Sequence, residues 1–360
     1  MQTPETIDYL IIGLGLAGSS LAWLLEQHGQ SFVVVDDVTE SSASRIAAGV
    51  INPVAGQRLV KHPKTEIFLA AARAFYAGAA DFFKQPFYFE RPMIRLFSSA
   101  QERKIWAEKK ANPAYSLDFG ETFDAQRVWP VSGNRDGGYH QHNCGYLDAR
   151  RLLDAMKAHF RATNRLIETE FRWDQLTPDA NGMVWNGARV GAVISCEGFR
   201  AKSNPYFSWL PLQLSKGEII TMESTADLPE WIVNQGKTLV PLDRRIFKFG
   251  ATYERRTLDN MPSAIARDAL FAKVRELLPA ATRLQCLKQE AGIRSGSLDK
   301  NPFAGLHPTY PRLGIFNGFG SKGVLTIPYY AECFVQFLLH GKDLPAEICI
   351  DRYPIKNEAG

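Results

Sequence analysis

Hydrophobic positions along this chain follow two rhythms. Tyr9–Ile12 is a short apolar run, a glycine turn follows, and apolar spacing predicts a helix from about Ser19 to Gln27, closed by Gly29. Phe32–Val35 is a second, β-branched run ending on Asp36 and Asp37. Continuous apolar runs of this kind suit a parallel sheet covered on both faces. Arg189–Cys196 and the segment 313–317 read the same way, and a long helix is predicted at about 324–340. Other helices are expected at 65–84, 99–111, 148–163 and 263–278. Between them the rhythm changes. FYFERPMIRLF at 87–97 and the segments 212–223 and 238–253 alternate in a β manner, while 112–143 reads as loop and short strand.

Parallel-sheet signals thus stand at both ends and in the middle, with antiparallel-like segments between. The expected class is α/β with an α+β second domain: a Rossmann-like nucleotide-binding domain carrying an inserted, mostly antiparallel substrate domain. The expected boundaries are 1–84, 140–203 and 288–360 for the first, and 85–139 and 204–287 for the second. No internal repeat stands out.

Composition narrows the class. A chain of 360 residues that is 45% hydrophobic and 22% charged can build two cores and is not a disordered chain. The net charge of +4 is dispersed, so an anionic partner is permitted rather than demanded. Five cysteines, odd in number and without a CxxC, argue against a disulfide framework or a zinc site. The N-terminus lacks the basic start of a secretory signal, and no apolar stretch is long enough to span a membrane. The expected location is cytoplasmic, and no metal is expected. His140 and His142 share a strand face but lack a third ligand with sensible spacing.

The first turn carries chemistry. Gly13, Leu14, Gly15, Leu16, Ala17 and Gly18 form a GxGxxG motif directly after a strand and before a helix. Gly13 allows the tight turn, Gly15 lets the backbone approach a pyrophosphate, and Gly18 lets helix and strand pack closely. The helix start offers N–H groups to phosphates. Asp36 stands where a carboxylate accepts ribose hydroxyls, which disfavours a 2′-phosphate. The motif alone leaves FAD and NAD open.

Later motifs follow in a recognisable order. They are Ser44-Arg-Ile-Ala-Ala-Gly49, Gly145-Tyr-Leu-Asp148, Val193-Ile-Ser-Cys-Glu-Gly198, Lys216-Gly-Glu218, Gly250-Ala-Thr-Tyr-Glu254, Gly292-Ile-Arg294, Asn301-Pro-Phe-Ala-Gly305 and Asn317-Gly-Phe-Gly-Ser-Lys-Gly323. Over nearly its whole length the chain resembles the D-amino-acid oxidase (DAO) superfamily of flavoproteins, which includes glycine and sarcosine oxidases. The closing glycine loop is also similar to the oxidase half of the bifunctional enzyme that builds methylaminomethyl-uridine in tRNA; this chain has no room for that enzyme's methyltransferase half.

The resemblance implies non-covalently bound FAD. It implies that Ser44, Arg45, Ala48 and Gly49 run along the pyrophosphate toward the flavin, with Asp37 beside Asp36. It places the backbone of Phe171 at the adenine and Cys196 and Gly198 at the end of the following strand. Glu197 departs from the small residue usual there. Gly292 and Arg294 follow, and Arg294 would hold a substrate carboxylate with its two-pronged guanidinium. The alternative is a structural arginine paired with Glu290 or Asp299. Tyr253 would offer a hydroxyl to the same carboxylate, or else is a core or rim tyrosine. Gly318, Gly320, Ser321, Lys322, Gly323 and Val324 would face the flavin N1–C2=O edge, where Lys322, if not simply solvated, supplies a cation.

The activity implied is oxidation of the C–N bond of a small-molecule amino acid or N-substituted glycine by hydride transfer to flavin N5. Three alternatives stay open. One is an RNA-modifying oxidase acting on a glycine-like side chain of a tRNA uridine, with nucleic acid as a secondary partner. Another is a non-catalytic flavin-binding subunit, and the last is an NAD-dependent dehydrogenase. Substrate identity, electron acceptor and oligomeric state are not fixed by the sequence.

Overall fold

The computed structural model describes residues 6–37, 42–123, 137–179, 182–279 and 281–354. The chain forms two compact units. The first comprises residues 1–45, 150–215 and 293–360, and the second 46–149 and 216–292. These cuts fall at Arg45, Ala149, Ser215 and Gly292 rather than at 84, 139, 203 and 287. The reason is strand pairing. Gly145–Leu147 is antiparallel to both Val50–Ile51 and Tyr88–Glu90, which draws 46–149 into one body.

The first unit holds a five-stranded parallel layer in the order Leu166–Glu168, Phe32–Asp36, Thr6–Ile12, Ala188–Ser195, Leu313–Asn317. Its β-branched runs are buried, with Val34, Val35, Val193 and Ile194 fully enclosed. Burying such a side chain contributes roughly 1.5–3 kcal/mol. The helix Leu16–Gln27 packs against the helix Gly323–His340. Its buried face includes Ser19 and Ser20, small residues that allow close approach. Thr6–Ile12 has Phe32–Asp36 on one side and Ala188–Ser195 on the other. Strand order therefore reverses at its carboxyl end, the position where open α/β sheets bind ligands.

The second unit carries most of an eight-stranded sheet. Its order is Leu284–Ser297, Leu212–Ser224, Ile246–Gly250, Lys237–Pro241, Ile232–Gln235, Met93–Leu96, Gly138–Gln141, Phe119–Phe123. All the registered pairings are antiparallel except Ile232–Gln235 with Met93–Leu96. The helix Ala264–Leu277 covers it through Leu270, Val274 and Leu277. Its start is capped by Ser263, whose hydroxyl accepts from the Ala266 N–H.

Most expected elements recur within a residue or two of their predicted bounds. The hairpin at 177–185 and the fourteen-residue strand Leu284–Ser297 do not follow from apolar pattern. In LQCLKQEAGIRSGS, polar residues occupy both phases of the alternation, because much of the strand's outer half is exposed or half-buried.

Candidate active site

In the first unit the glycine turn is built by three different constraints. Gly13 has φ +101°, and a side chain there would strike the carbonyl of Cys196 at 2.7 Å. A side chain on Gly18 would overlap the carbonyl oxygen of Gly13. Gly15 is different. Its nearest neighbour is Ser44 Oγ at 3.4 Å, so nothing within the chain demands a glycine. The open space over Gly15 is a cradle that a Cβ would partly fill.

The helix start beside it is electropositive. Gly15 caps it without a side chain, and its first turn carries no acid. Ser44 Oγ accepts the Leu16 N–H at 3.1 Å, joining the segment after the second strand to the helix start. Arg45 pairs with Asp154, and its Nε is buried without a partner.

Asp36 ends the second strand with Oδ1 accepting the Leu14 N–H at 2.9 Å. Burial raises its pKa to about 6, and the charge of Asp37 adds to this; the Leu14 N–H, Lys157 and Arg200 oppose it. Asp37 itself is paired with Arg200.

Glu197, the departure from the family pattern, is committed to its own unit. It accepts from Trp173 Nε1 at 3.1 Å, Ser195 Oγ at 2.6 Å and Asn204 Nδ2 at 2.7 Å. Cys196 is buried, with its backbone N–H on Ile12 O. Phe171 packs its ring against Trp173 and Trp185.

The closing loop is drawn to this face by Asn317, the first residue of its motif, whose tertiary partners the sequence did not indicate. Asn317 donates Nδ2 to the carbonyl of Gly198 at 2.8 Å and accepts the Gly318 N–H at 2.7 Å. No sequence pattern announces a link across 119 residues. Gly318 and Gly320 have φ of +84° and +57°. The Gly320 N–H donates to Ser295 O at 2.7 Å, and a Cβ on Gly296 would meet Gly320 Cα at 3.7 Å. Strand alternation puts Arg294 on the face of Gly296. Arg294 is half-buried between the buried Ile293 and Ser295. Of the acids expected as its alternatives, Asp299 is held by Arg352.

Lys322 caps the helix Gly323–His340. Surrounding protein lowers its ammonium pKa, with Lys300 adding like-charge repulsion, although its side chain reaches solvent. Ser321 is exposed and Val324 buried.

The second unit holds Ala48, Gly49 and Tyr253. Gly49 has φ +70° and sits against Leu147, whose N–H it accepts at 2.9 Å. Ala48 packs on the cluster of Met93, Cys144 and Tyr146. Lys248, unmentioned by any motif, donates Nζ to Ala47 O at 3.1 Å and anchors this segment. Gly292 is buried in the long strand. Tyr253 is largely exposed, its hydroxyl accepting from Arg255. Among the described residues no cluster could hold a metal ion, and no helix is long and apolar enough to cross a membrane. All five cysteines carry free thiols.

Comparison with known proteins decides the class. The family model described as FAD dependent oxidoreductase (DAO) matches residues 8–337. The chain belongs to this family. Its cofactor is FAD, and the fit is visible in the open cradle at Gly15, the uncompensated helix start and the orphaned Arg45 Nε. The chain is 27% identical over 255 residues to a glycine oxidase of Pseudomonas putida, covering 66% of this chain and 67% of that one. It is 22% identical to the tRNA 5-methylaminomethyl-2-thiouridine biosynthesis bifunctional protein of Legionella pneumophila. There the match covers 92% of this chain but spans 55% of the relative. Among solved structures, glycine oxidase from Geobacillus kaustophilus superposes with a TM-score of 0.80 at 20% identity, covering 99% of this chain and 100% of that one. That likeness shows a shared fold. The FAD-dependent oxidoreductase fold thus carries a turn, an acid and a closing loop on one unit.

Proposed function

We propose that this FAD-dependent oxidoreductase oxidises the C–N bond of an amino acid or N-substituted glycine. The observation that carries the reading is the bond from the Gly320 N–H to Ser295 O, which ties the closing glycine loop to the neighbour of Arg294 within one compact unit. On this reading Arg294 would bind the substrate carboxylate beside the loop expected at the flavin.

Arg294 then holds the substrate carboxylate with two N–H donors. This fixes the carbon next to nitrogen, and orientation of that kind is what the reaction most needs. Lys322, with no anionic partner among the described residues, places positive charge at the start of the last helix. FAD, held by the Gly13–Gly18 turn, Asp36 and the Ser44–Gly49 segment, would supply the hydride acceptor for the C–N oxidation. Asp36 and the Gly13–Gly18 turn serve only to hold the ADP half. No side chain is assigned as a general base, since a neutral amine needs none.

The test is anaerobic mixing of the yellow protein with glycine, sarcosine, proline and D-amino acids. Loss of flavin absorbance with one of these supports the reading. A flavin that none of them bleaches overturns it.

A second reading is oxidation of a glycine-like side chain on a modified tRNA uridine. The match to the Legionella protein, which covers 92% of this chain, favours it. Bleaching by modified tRNA alone would select it.

A further inference from the structure

In the first unit an ion pair spans the carboxyl end of the strand Thr6–Ile12, where the glycine turn emerges. Arg200 lies in the short 3-10 helix Gly198–Ser203, which follows the strand Ala188–Ser195. Asp37 directly follows the strand Phe32–Asp36. These two strands flank Thr6–Ile12, so their ends stand two strand spacings apart, roughly 9–10 Å. The Arg200 guanidinium crosses that gap and pairs with Asp37.

The base from which Arg200 reaches is fixed. Glu197, just before the short helix, accepts from Asn204 Nδ2, just after it, at 2.7 Å. The same carboxylate accepts from Trp173 Nε1 and Ser195 Oγ. Ala201 is fully buried, and the carbonyl of Gly198 accepts Asn317 Nδ2 at 2.8 Å. Glu197, out of place as a cofactor contact, thus holds the turn that carries Arg200.

The pair sits beside Asp36, and several charges face that carboxyl. Asp37 comes from its own strand end, Arg200 from across the gap, Lys157 from the helix Ala149–Ala162, and the Leu14 N–H from the turn. Glu168 stands opposite Asp36 in register, but its carboxylate is held by Lys157 at 2.8 Å and Arg161 at 2.7 Å. Glu170 acts on Arg200. Burial pushes Asp36 up to about 6 and the Leu14 N–H opposes this; Asp37 pushes it further, while Lys157 and Arg200 pull it back. Two adjacent acids at a ribose site repel each other, so one of them needs a counter-charge.

We propose that Arg200 is a positioning residue for FAD: by pairing with Asp37 it neutralises the charge next to Asp36 and keeps the Asp36 carboxylate able to accept the ribose hydroxyls. Arg200 acts through the acid and is not itself assigned a contact with the cofactor. The proposal concerns FAD retention and does not depend on which amine is oxidised.

The test uses the FAD-loaded protein, diluted serially at each pH from 5 to 8, with released FAD read by its fluorescence. Wild-type Kd should fall as pH rises through about 6. Arg200→Gln should move this midpoint up by about half a pH unit, an effect kept small because the guanidinium is half-exposed. That is about threefold weaker binding on the acid side of the midpoint. Arg200→Lys should restore the midpoint, since it keeps the charge. Asp37→Asn should move the midpoint the other way, and the double variant should return it close to wild type. An ion pair that only stabilises the fold predicts something else: both single variants weaken binding alike at every pH. That result, an unmoved midpoint in Arg200→Gln, or shifts of the same sign in the two single variants would overturn the proposal. So would a pH profile that survives Asp36→Asn. Circular dichroism melting of each variant reports its folding, and the Asp37→Asn shift keeps the proposal testable if Arg200→Gln does not fold.

Discussion

Leu14 donates its backbone N–H to Oδ1 of Asp36 at 2.9 Å, joining the glycine turn to the acid that ends the next strand. The bond ties up one oxygen and leaves the other for a ribose. It also makes the site pH-sensitive. Asp36 titrates at about 6 rather than its ordinary 3.8, chiefly because it is buried. Only the ionised form accepts two ribose hydroxyls, so FAD affinity should rise as pH climbs through about 6. The apoprotein should behave oppositely. Its folded state keeps the Asp36 proton when the unfolded chain has lost it, so this group's contribution to stability falls between pH 3.8 and about 6. A shift of this size corresponds to about 3 kcal/mol. Flavin-fluorescence titrations and apoprotein melting from pH 5 to 8 check both signs, and Asp36→Asn should flatten both curves.

Gly15 and Gly18 separate cofactor binding from folding. Gly18→Ala would drive a methyl into the Gly13 carbonyl and should lower the melting temperature of the apoprotein. Gly15→Ala meets only Ser44 Oγ at 3.4 Å and should leave the apoprotein's melting almost unmoved while abolishing FAD retention. If Gly15→Ala binds FAD normally, the cradle is misassigned.

Arg294→Ala should cost roughly 1.5–3 kcal/mol of binding to a carboxylate substrate, the worth of a charge-assisted hydrogen bond. That is about a tenfold to hundredfold loss in kcat/KM. Arg294→Lys, which lacks the fork, should recover only part of it. Esterified substrates should show no difference between the variants.

Lys322→Met removes a cation whose ammonium is already disfavoured by burial and by Lys300. If it stabilises the reduced flavin, its loss should lower the two-electron potential; about 1.4 kcal/mol corresponds to roughly 30 mV. An unchanged potential in a xanthine–dye equilibration would assign Lys322 to the solvent.

The parallel layer and the glycine turn were legible because they are local. A β-branched run, a tight turn and a helix start each depend on residues adjacent in sequence. Glu197 shows the opposite case. Sequence marked it as out of place, but only the fold reveals Trp173, Ser195 and Asn204 as the donors that hold it. The strand Leu284–Ser297 went unread because its polar residues fall in both phases.

Sequence by itself therefore determined the dinucleotide turn, the acid after it, and the family to which the chain belongs. Tertiary structure decided which distant pieces meet. It set Asn317 between Gly198 and Gly318 and tied Gly320 to Ser295 beside Arg294. The physical reason is that these contacts satisfy buried donors and acceptors across tens to hundreds of residues. A polar group's choice of partner at that range leaves no period in the chain.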